Sequence, residues 1–265
     1  LEATTGVLDI DYLPASRSGL YQALSAFGQI IAELSKSRSF LSNKIELPGI
    51  SGQLSDYFIK LTNIATKGQA VEDFDAIAKS IENNILKGAI EYDFDKKRLY
   101  YKPKGTDLRL DISSTSSMVS ETAPIVTYIR HIIAWDKSDA MTFLRRKRRR
   151  GRLSSDAKKI LIIEEPEAHL HPNNQIKMTE LYAELANLGV SIIMTSHSNY
   201  VFNKLSNSVI EGKLSPNDVH CHLFQMDEGG STGVSLTVDE FGIDDQNFGD
   251  ASEALLEERL ELLQA

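Results

Sequence analysis

Cysteine is nearly absent from this chain of 265 residues. Cys221 stands alone, which excludes an intramolecular disulfide framework and any zinc site built from several cysteines. Long apolar runs are also missing. None approaches the roughly 18–20 residues that a spanning helix needs, so no membrane role is expected. The opening Leu1-Glu2-Ala3-Thr4-Thr5 has neither a basic region nor an apolar one, so no secretory signal is expected. It begins without Met, so Leu1 is not expected to be the natural start. One free thiol and no export signal fit a reducing, cytoplasmic setting. A phosphate-cradling loop is missing as well. Such a loop needs Gly-x-x-x-x-Gly-Lys-Ser/Thr, so that backbone N–H groups and a Lys surround the phosphates. The single Gly-Lys pair, Gly212-Lys213, is followed by Leu214, and Asn207 stands where the first glycine should be.

The chain does have an ordinary globular composition, with 42% apolar and 25% charged residues. Its formal net charge is −8, yet the charge is unevenly placed. Arg145, Arg146, Lys147, Arg148, Arg149, Arg150 and Arg152 crowd into one short stretch, leaving the remainder strongly acidic.

Periodicity divides the chain into elements. Residues 6–13 read as a strand closed by Pro14, followed by a helical pattern from Ser18 to about Phe40. After a Pro/Gly loop, Leu54, Phe58, Leu61 and Ile64 mark a second helix. A third runs from about Val71 to Leu86, with Gly88 expected to cap its end. Short strands are expected at 89–94, 98–102 and 108–112. A Ser/Thr run, 113–117, precedes an apolar helix reaching about Trp135, and a further helix is expected over 138–150. Lys159-Ile160-Leu161-Ile162-Ile163-Glu164 and Val190-Ser191-Ile192-Ile193-Met194-Thr195 read as parallel strands buried on both faces. The helix between them, 173–188, makes a right-handed βαβ crossover. Strands at 219–226 and 233–238 and an amphipathic helix from Asp250 complete the chain. In that last helix Leu255, Leu256, Leu260 and Leu263 share a face.

Chemistry concentrates after the first buried strand, in Glu164-Glu165-Pro166-Glu167-Ala168-His169-Leu170-His171-Pro172. Two carboxylates at the carboxyl end of a buried strand sit where α/β sheets bind ligands. Such a pair repels itself unless a cation or shared proton offsets the charge. A magnesium ion held through water by Glu164 would do so, leaving Glu165 to take a proton from water. The plainer alternative is a solvated strand end. His197, just past the neighbouring strand, could donate to a phosphate or an attacking water, or be a core imidazole bonded to backbone. The Ser/Thr run at a helix start could bind an anion, or simply cap the helix.

The 164–172 segment resembles the Walker B box and D-loop of ABC-type ATPases. More narrowly, it is similar to the branch containing the overcoming-lysogenisation-defect (OLD) family and its AAA-type relatives, with RecF and SMC proteins as more distant cousins. The resemblance covers about residues 7–20 and 110–205, including Tyr12-Leu13-Pro14-Ala15-Ser16-Arg17-Ser18; it supplies no chemical role for Arg17, for which a salt bridge or a helix-entry contact is the plain expectation. It implies an α/β fold: the C-terminal lobe of a P-loop ATPase, with a parallel core sheet flanked by helices, a helical insertion and a small β-hairpin region. The expected divisions are 1–40 (core strand and helix), 41–105 (variable insertion), 106–240 (ATPase core) and 241–265 (terminal helix). The resemblance implies ATP and Mg2+ as cofactors, Glu164 near the metal, Glu165 as catalytic base and His197 as switch histidine. It places His169 in a dimer-facing loop, and Ser117, or next Ser116, reaching the partner's nucleotide. Met118 stands where that signature usually has Gly, and a side chain there would crowd a phosphate.

The chain is therefore expected to be part of a longer ATPase, cut before Leu1, that works as a homodimer with its N-terminal ATPase lobe. By itself it would lack hydrolysis. The process is expected to be DNA-associated or phage defence. The cationic stretch 145–152 would track DNA or RNA phosphates, or form a solvated loop. Two other functions compete. One is a metal-dependent hydrolase using His169, His171, Glu164, Glu165 and Glu167. The other is a nucleic-acid or protein docking module with degenerate ATPase boxes.

Overall fold

The computed structural model describes residues 9–19, 51–62, 64, 71–133, 159–244 and 248–264. The helices expected over 18–40 and 138–150 therefore fall outside the described residues, apart from helical backbone at 17–19, and so does the cationic stretch 145–152. Two units divide the chain, residues 1–196 and 197–265.

The first unit is built on a three-stranded parallel sheet of order β1 (Asp9–Leu13), β5 (Lys159–Glu164) and β6 (Val190–Thr195). The register pairs Leu13 with Ile163, and Glu164 with Thr195. Because side chains alternate along a strand, Leu13, Leu161, Ile163 and Val190 share one face, and all are buried. Helices cover that face. α1 (Gly52–Thr62) lies against β1, and α4 (Pro172–Asn187), which links β5 to β6, lies against β6. The other face carries Ile10, Tyr12, Ile160, Ile162 and Ile193. Ile10 remains 45% exposed and Ile193 56%. The expectation that these strands are buried on both faces is thus corrected: among the described residues the helices pack on one face, and the second is left half open.

Between β1 and β5 come α2 (Glu72–Ile81), then a π-helical turn over Glu82–Leu86. An antiparallel sheet follows: β2 (Gly88–Asp93), β3 (Arg98–Pro103) and β4 (Leu110–Asp111). Lys87, not Gly88, closes the helix in the left-handed conformation, with φ 54°. Gly88 already belongs to β2, where its backbone lies against the Tyr101 ring too closely to admit a Cβ.

Next is α3 (Ser117–Tyr128), continued by a π-helical turn over Ile129–Ile133. Every residue of α3 from Val119 to Tyr128 is buried, so this helix runs through the core and not over its surface. Lys159 at the start of β5 donates to the carbonyls of Ile132 and Ile133, each at 2.8 Å. It thereby satisfies carbonyls that the helix end leaves without partners.

The second unit holds α5 (Asn199–Ile210), the antiparallel ribbon of β7 (Cys221–Asp227) and β8 (Gly230–Leu236), the short pair β9 (Val238–Asp239) and β10 (Gly242–Ile243), and α6 (Phe248–Gln264). Gly242, with φ 107°, lets β10 close onto α5, where the Ile243 N–H donates to Ser206 Oγ at 2.9 Å. α5 has no counterpart among the sequence expectations.

Candidate functional site

The carboxyl end of β5 is held on both sides. Glu164 Oε1 accepts the Tyr12 hydroxyl at 2.8 Å, and its Oε2 accepts the Ala15 N–H at 3.3 Å. Both donors come from the end of β1, which the parallel register brings level with Glu164. Burial, then the hydrogen bond and the charge of Glu164, push the Tyr12 phenol up to about 12. Tyr12 is therefore a donor throughout the neutral range.

Glu165 follows with φ 41°, in a region that side-chain-bearing residues rarely enter. Its backbone is fastened at each end. The N–H donates to the Thr195 carbonyl at 3.0 Å, and the carbonyl accepts the Ala168 N–H at 3.0 Å and Arg17 Nη2 at 3.2 Å. Its half-buried carboxylate accepts no hydrogen bond among the described residues. The surroundings thus hold an uncommon conformation and leave the acid itself open to a ligand, a pattern that gathers at functional sites.

Glu167 turns inward. It is buried, and its Oε1 accepts Ser196 Oγ at 2.6 Å. His169 also has positive φ (64°), and its side chain is exposed. His171 is the N-cap of α4, its Nδ1 accepting the Asn173 N–H at 3.3 Å. Glu167 and His171 are thus engaged in holding the loop and the helix. Among the described residues no group of three or more His, Cys, Asp or Glu is placed to hold a metal. The metal-dependent hydrolase reading, which needed these residues together, gains no support.

The serine run divides in two. Asp111 Oδ1 accepts both the N–H and the hydroxyl of Ser113, and the Thr115 hydroxyl donates to the Ile112 carbonyl. Ser116 and Ser117 are exposed at the start of α3. Ser116 has N-cap backbone geometry, but its side chain makes no capping hydrogen bond. Met118 points inward, packed against the core, with its sulfur near Asn174 Nδ2 at 3.8 Å. The crowding expected from a side chain at this position is therefore turned away from the exposed helix start.

Arg17, expected to make at most a salt bridge or a helix-entry contact, is fully buried. Its guanidinium donates to four carbonyls: Nε to Glu121 at 3.1 Å, Nη1 to Pro14 and Glu164 at 2.8 Å each, and Nη2 to Glu165 at 3.2 Å. The Glu121 carboxylate lies 3.5 Å from Nε. Glu121 also accepts the backbone N–H groups of Arg17 and Ser18 and the Ser18 hydroxyl. It so supplies a capping anion to the helix opening at residue 17. A signal was present: an Arg after a strand-closing Pro, and a Glu inside an apolar helix. Only the fold shows that they meet.

His197 is exposed and opens the second unit, two residues after β6 ends opposite Glu164. The next residue, Ser198, caps α5 by accepting the N–H groups of Tyr200 and Val201.

Residues 20–202 match the sequence profile of the AAA ATPase domain. The chain belongs to that family. Membership makes this AAA ATPase domain of ATPase type and of the nucleotide-using class. No curated protein matches the chain. Three solved structures similar to it concern SMC proteins. One comes from work on ATP-driven dimerization and DNA-stimulated activation of SMC ATPases, at 16% identity and TM-score 0.37, covering 70% of this chain and 92% of the other. A second is an Smc head domain with an extended coiled coil bound to the C-terminal domain of ScpA, from Pyrococcus furiosus, at 15% identity and TM-score 0.37, covering 78% and 39%. The third is the SMC head domain from Thermotoga maritima, at 11% identity and TM-score 0.36, covering 68% and 51%. The chain thus spans less than two thirds of the latter two. No helix among the described residues is long and apolar enough to cross a membrane.

Proposed function

We propose that this AAA ATPase domain supplies the catalytic base, the metal-facing carboxylate and the signature serine of an ABC-type ATPase of the OLD, RecF and SMC-like branch. Its phosphate-binding loop would lie outside these 265 residues. The observation that carries this reading is Glu165: its backbone is fastened on both sides in an uncommon conformation, and its carboxylate is left open at the carboxyl end of the central strand. A water held against that carboxylate would give it a proton as the water oxygen bonds to the terminal phosphorus of ATP, while the bond from that phosphorus to the bridging oxygen breaks and ADP leaves with its electron pair.

Glu164 fits a magnesium ion held through water. Each carboxylate oxygen accepts one hydrogen bond and keeps a further lone pair, and Tyr12 and Ala15 fix its orientation. When bound, Mg2+ neutralises charge on the phosphate oxygens. His197 would donate to the terminal phosphate. In a homodimer, Ser117 and Ser116 would reach the nucleotide held by the other copy, with His169 in the loop that faces it. The half-open sheet face, with Ile10 and Ile193 exposed, supports an N-terminal ATPase lobe as its cover, because parallel sheets pack on both faces. The process served would be DNA-associated or phage defence.

The test uses the ATPase assembled with its phosphate-binding loop. Glu165→Gln should lower hydrolysis by about 10²–10⁴-fold, the usual contribution of a general base. Binding of a fluorescent ATP analogue should persist. Hydrolysis by Glu165→Gln at the unaltered rate would overturn the reading.

A further inference from the structure

We propose that Arg17 is the positioning residue of this site, a buried strut that ties the backbone of Glu164 and Glu165 to the serine-bearing helix α3. The functional half of this inference rests on Glu165 being the catalytic base. The structural half does not.

A guanidinium presents five N–H donors in one plane, so it can serve several acceptors in a fixed arrangement. Here four carbonyls from three segments converge on it: Pro14 after β1, Glu121 within α3, and Glu164 and Glu165 at the end of β5. None of these segments is a neighbour of the others in sequence. Glu165 needs such a hold, because φ 41° is costly for a residue with a side chain and persists only where the surroundings impose it. Its N–H is fixed by β6 through Thr195, and its carbonyl by Arg17 and Ala168. Arg17 is in turn held by Glu121, both through the ion pair and through the N–H groups of residues 17 and 18. The Arg17 carbonyl accepts the Tyr57 hydroxyl at 3.4 Å, and the Tyr57 carbonyl accepts that of Tyr128 at 3.1 Å. The strut therefore stands in a buried frame. Glu121 is one turn along α3 from Ser117, so the exposed serines and the Glu165 backbone are joined through Arg17. A ligand that shifts the start of α3 would move Glu165 with it.

The test measures amide hydrogen exchange in this chain. Arg17→Lys keeps a cation opposite Glu121 but loses the planar fork. Arg17→Met combined with Glu121→Gln removes both charges, so that neither is left buried alone. Both variants should speed exchange of the Ala168 and Leu170 amides by tenfold or more, with the strand amides of Leu161, Ile163 and Ile192 unchanged. Glu121→Gln alone, although Glu121 makes no hydrogen bond to β5, should speed the same two amides. The double variant should exchange there no faster than Arg17→Met does. Unchanged exchange at Ala168 and Leu170 overturns the proposal. So does loss of protection spread evenly over the chain, or an additive double variant.

In the assembled ATPase, Arg17→Lys should lower kcat at least tenfold with KM for ATP within about threefold, since it misplaces the base without touching nucleotide binding. A matched rise in KM with kcat preserved overturns it too. If Glu165→Gln hydrolyses normally, the catalytic reading fails, and the exchange pattern still decides whether Arg17 braces the loop.

Discussion

The two ends of the candidate site are built in opposite ways. At the end of β5 almost every backbone group has a partner: Glu164 and Glu165 present their carbonyls to Arg17, Glu165 sends its N–H to Thr195, and Tyr12 and Ala15 hold the Glu164 carboxylate. At the start of α3 the Ser116 and Ser117 side chains are exposed, and the first turn lacks a side-chain cap. One end is preorganised by the chain itself, as a group that must act on a reacting atom has to be. The other offers unsatisfied donors, as a surface does when its partner arrives with another molecule. The contrast makes different demands on mutation at the two ends.

The largest effect is expected where the preorganised end is anchored. Arg17→Met leaves Glu121 buried without its counter-charge, and breaking a buried pair from one side costs about 3–5 kcal/mol. Urea unfolding of this chain should show that loss, and a change under about 1 kcal/mol would mean that the pair is not load sharing in the way its burial implies.

A smaller effect should be seen at Tyr12. Its phenol lies above the ordinary value near 10, so its bonus to stability is complete below about pH 10 and is lost as pH rises through about 12. Glu164→Gln removes the carboxylate charge and leaves burial, the larger cause. The Tyr12 titration should therefore move only part of the way back toward 10. Absorbance at 295 nm reads this shift as the difference between each protein and its Tyr12→Phe counterpart. An unmoved titration would show that the hydrogen bond between Tyr12 and Glu164 is not made in solution.

The sequence disclosed the parallel strands, the helix between them and the acids that follow, because these depend on local pattern. Short apolar runs ended by charge read as strands, and Gly189, with φ 93°, ends α4 as glycine does. What it concealed depends on distant partners. Arg17 is 104 residues from Glu121, and although each stands in a telling local setting, neither setting names the other as its partner. Lys87 takes the left-handed cap because the neighbouring Gly88 is already committed to close packing on Tyr101. α5 carries an ordinary local signal, with Ser198 as its cap and Gly212 beyond its end, although it falls outside the elements expected from the sequence. The open sheet face is hidden from the sequence for a physical reason. A run such as Ile160–Ile163 shows that a strand can be buried on both sides, but not which residues supply the second cover.

The smallest effect is expected at the serines, and there its smallness is the result that matters. An N-cap serine that bonds its helix usually costs about 1 kcal/mol to replace by alanine. Ser116 has the backbone of a cap without the bond, and Ser117 beside it is exposed, whereas Ser113 and Thr115 in the same run are engaged. Ser116→Ala and Ser117→Ala should each change the stability of this chain by less than about 0.5 kcal/mol, as surface substitutions do. In the assembled ATPase the same changes should still lower hydrolysis, because there the hydroxyls would meet the other copy's phosphates. Thermal melting supplies the first number and steady-state turnover the second. A loss of 1 kcal/mol or more with turnover preserved would make these serines ordinary caps, and would remove the proposed contact between the start of α3 and a second copy's nucleotide.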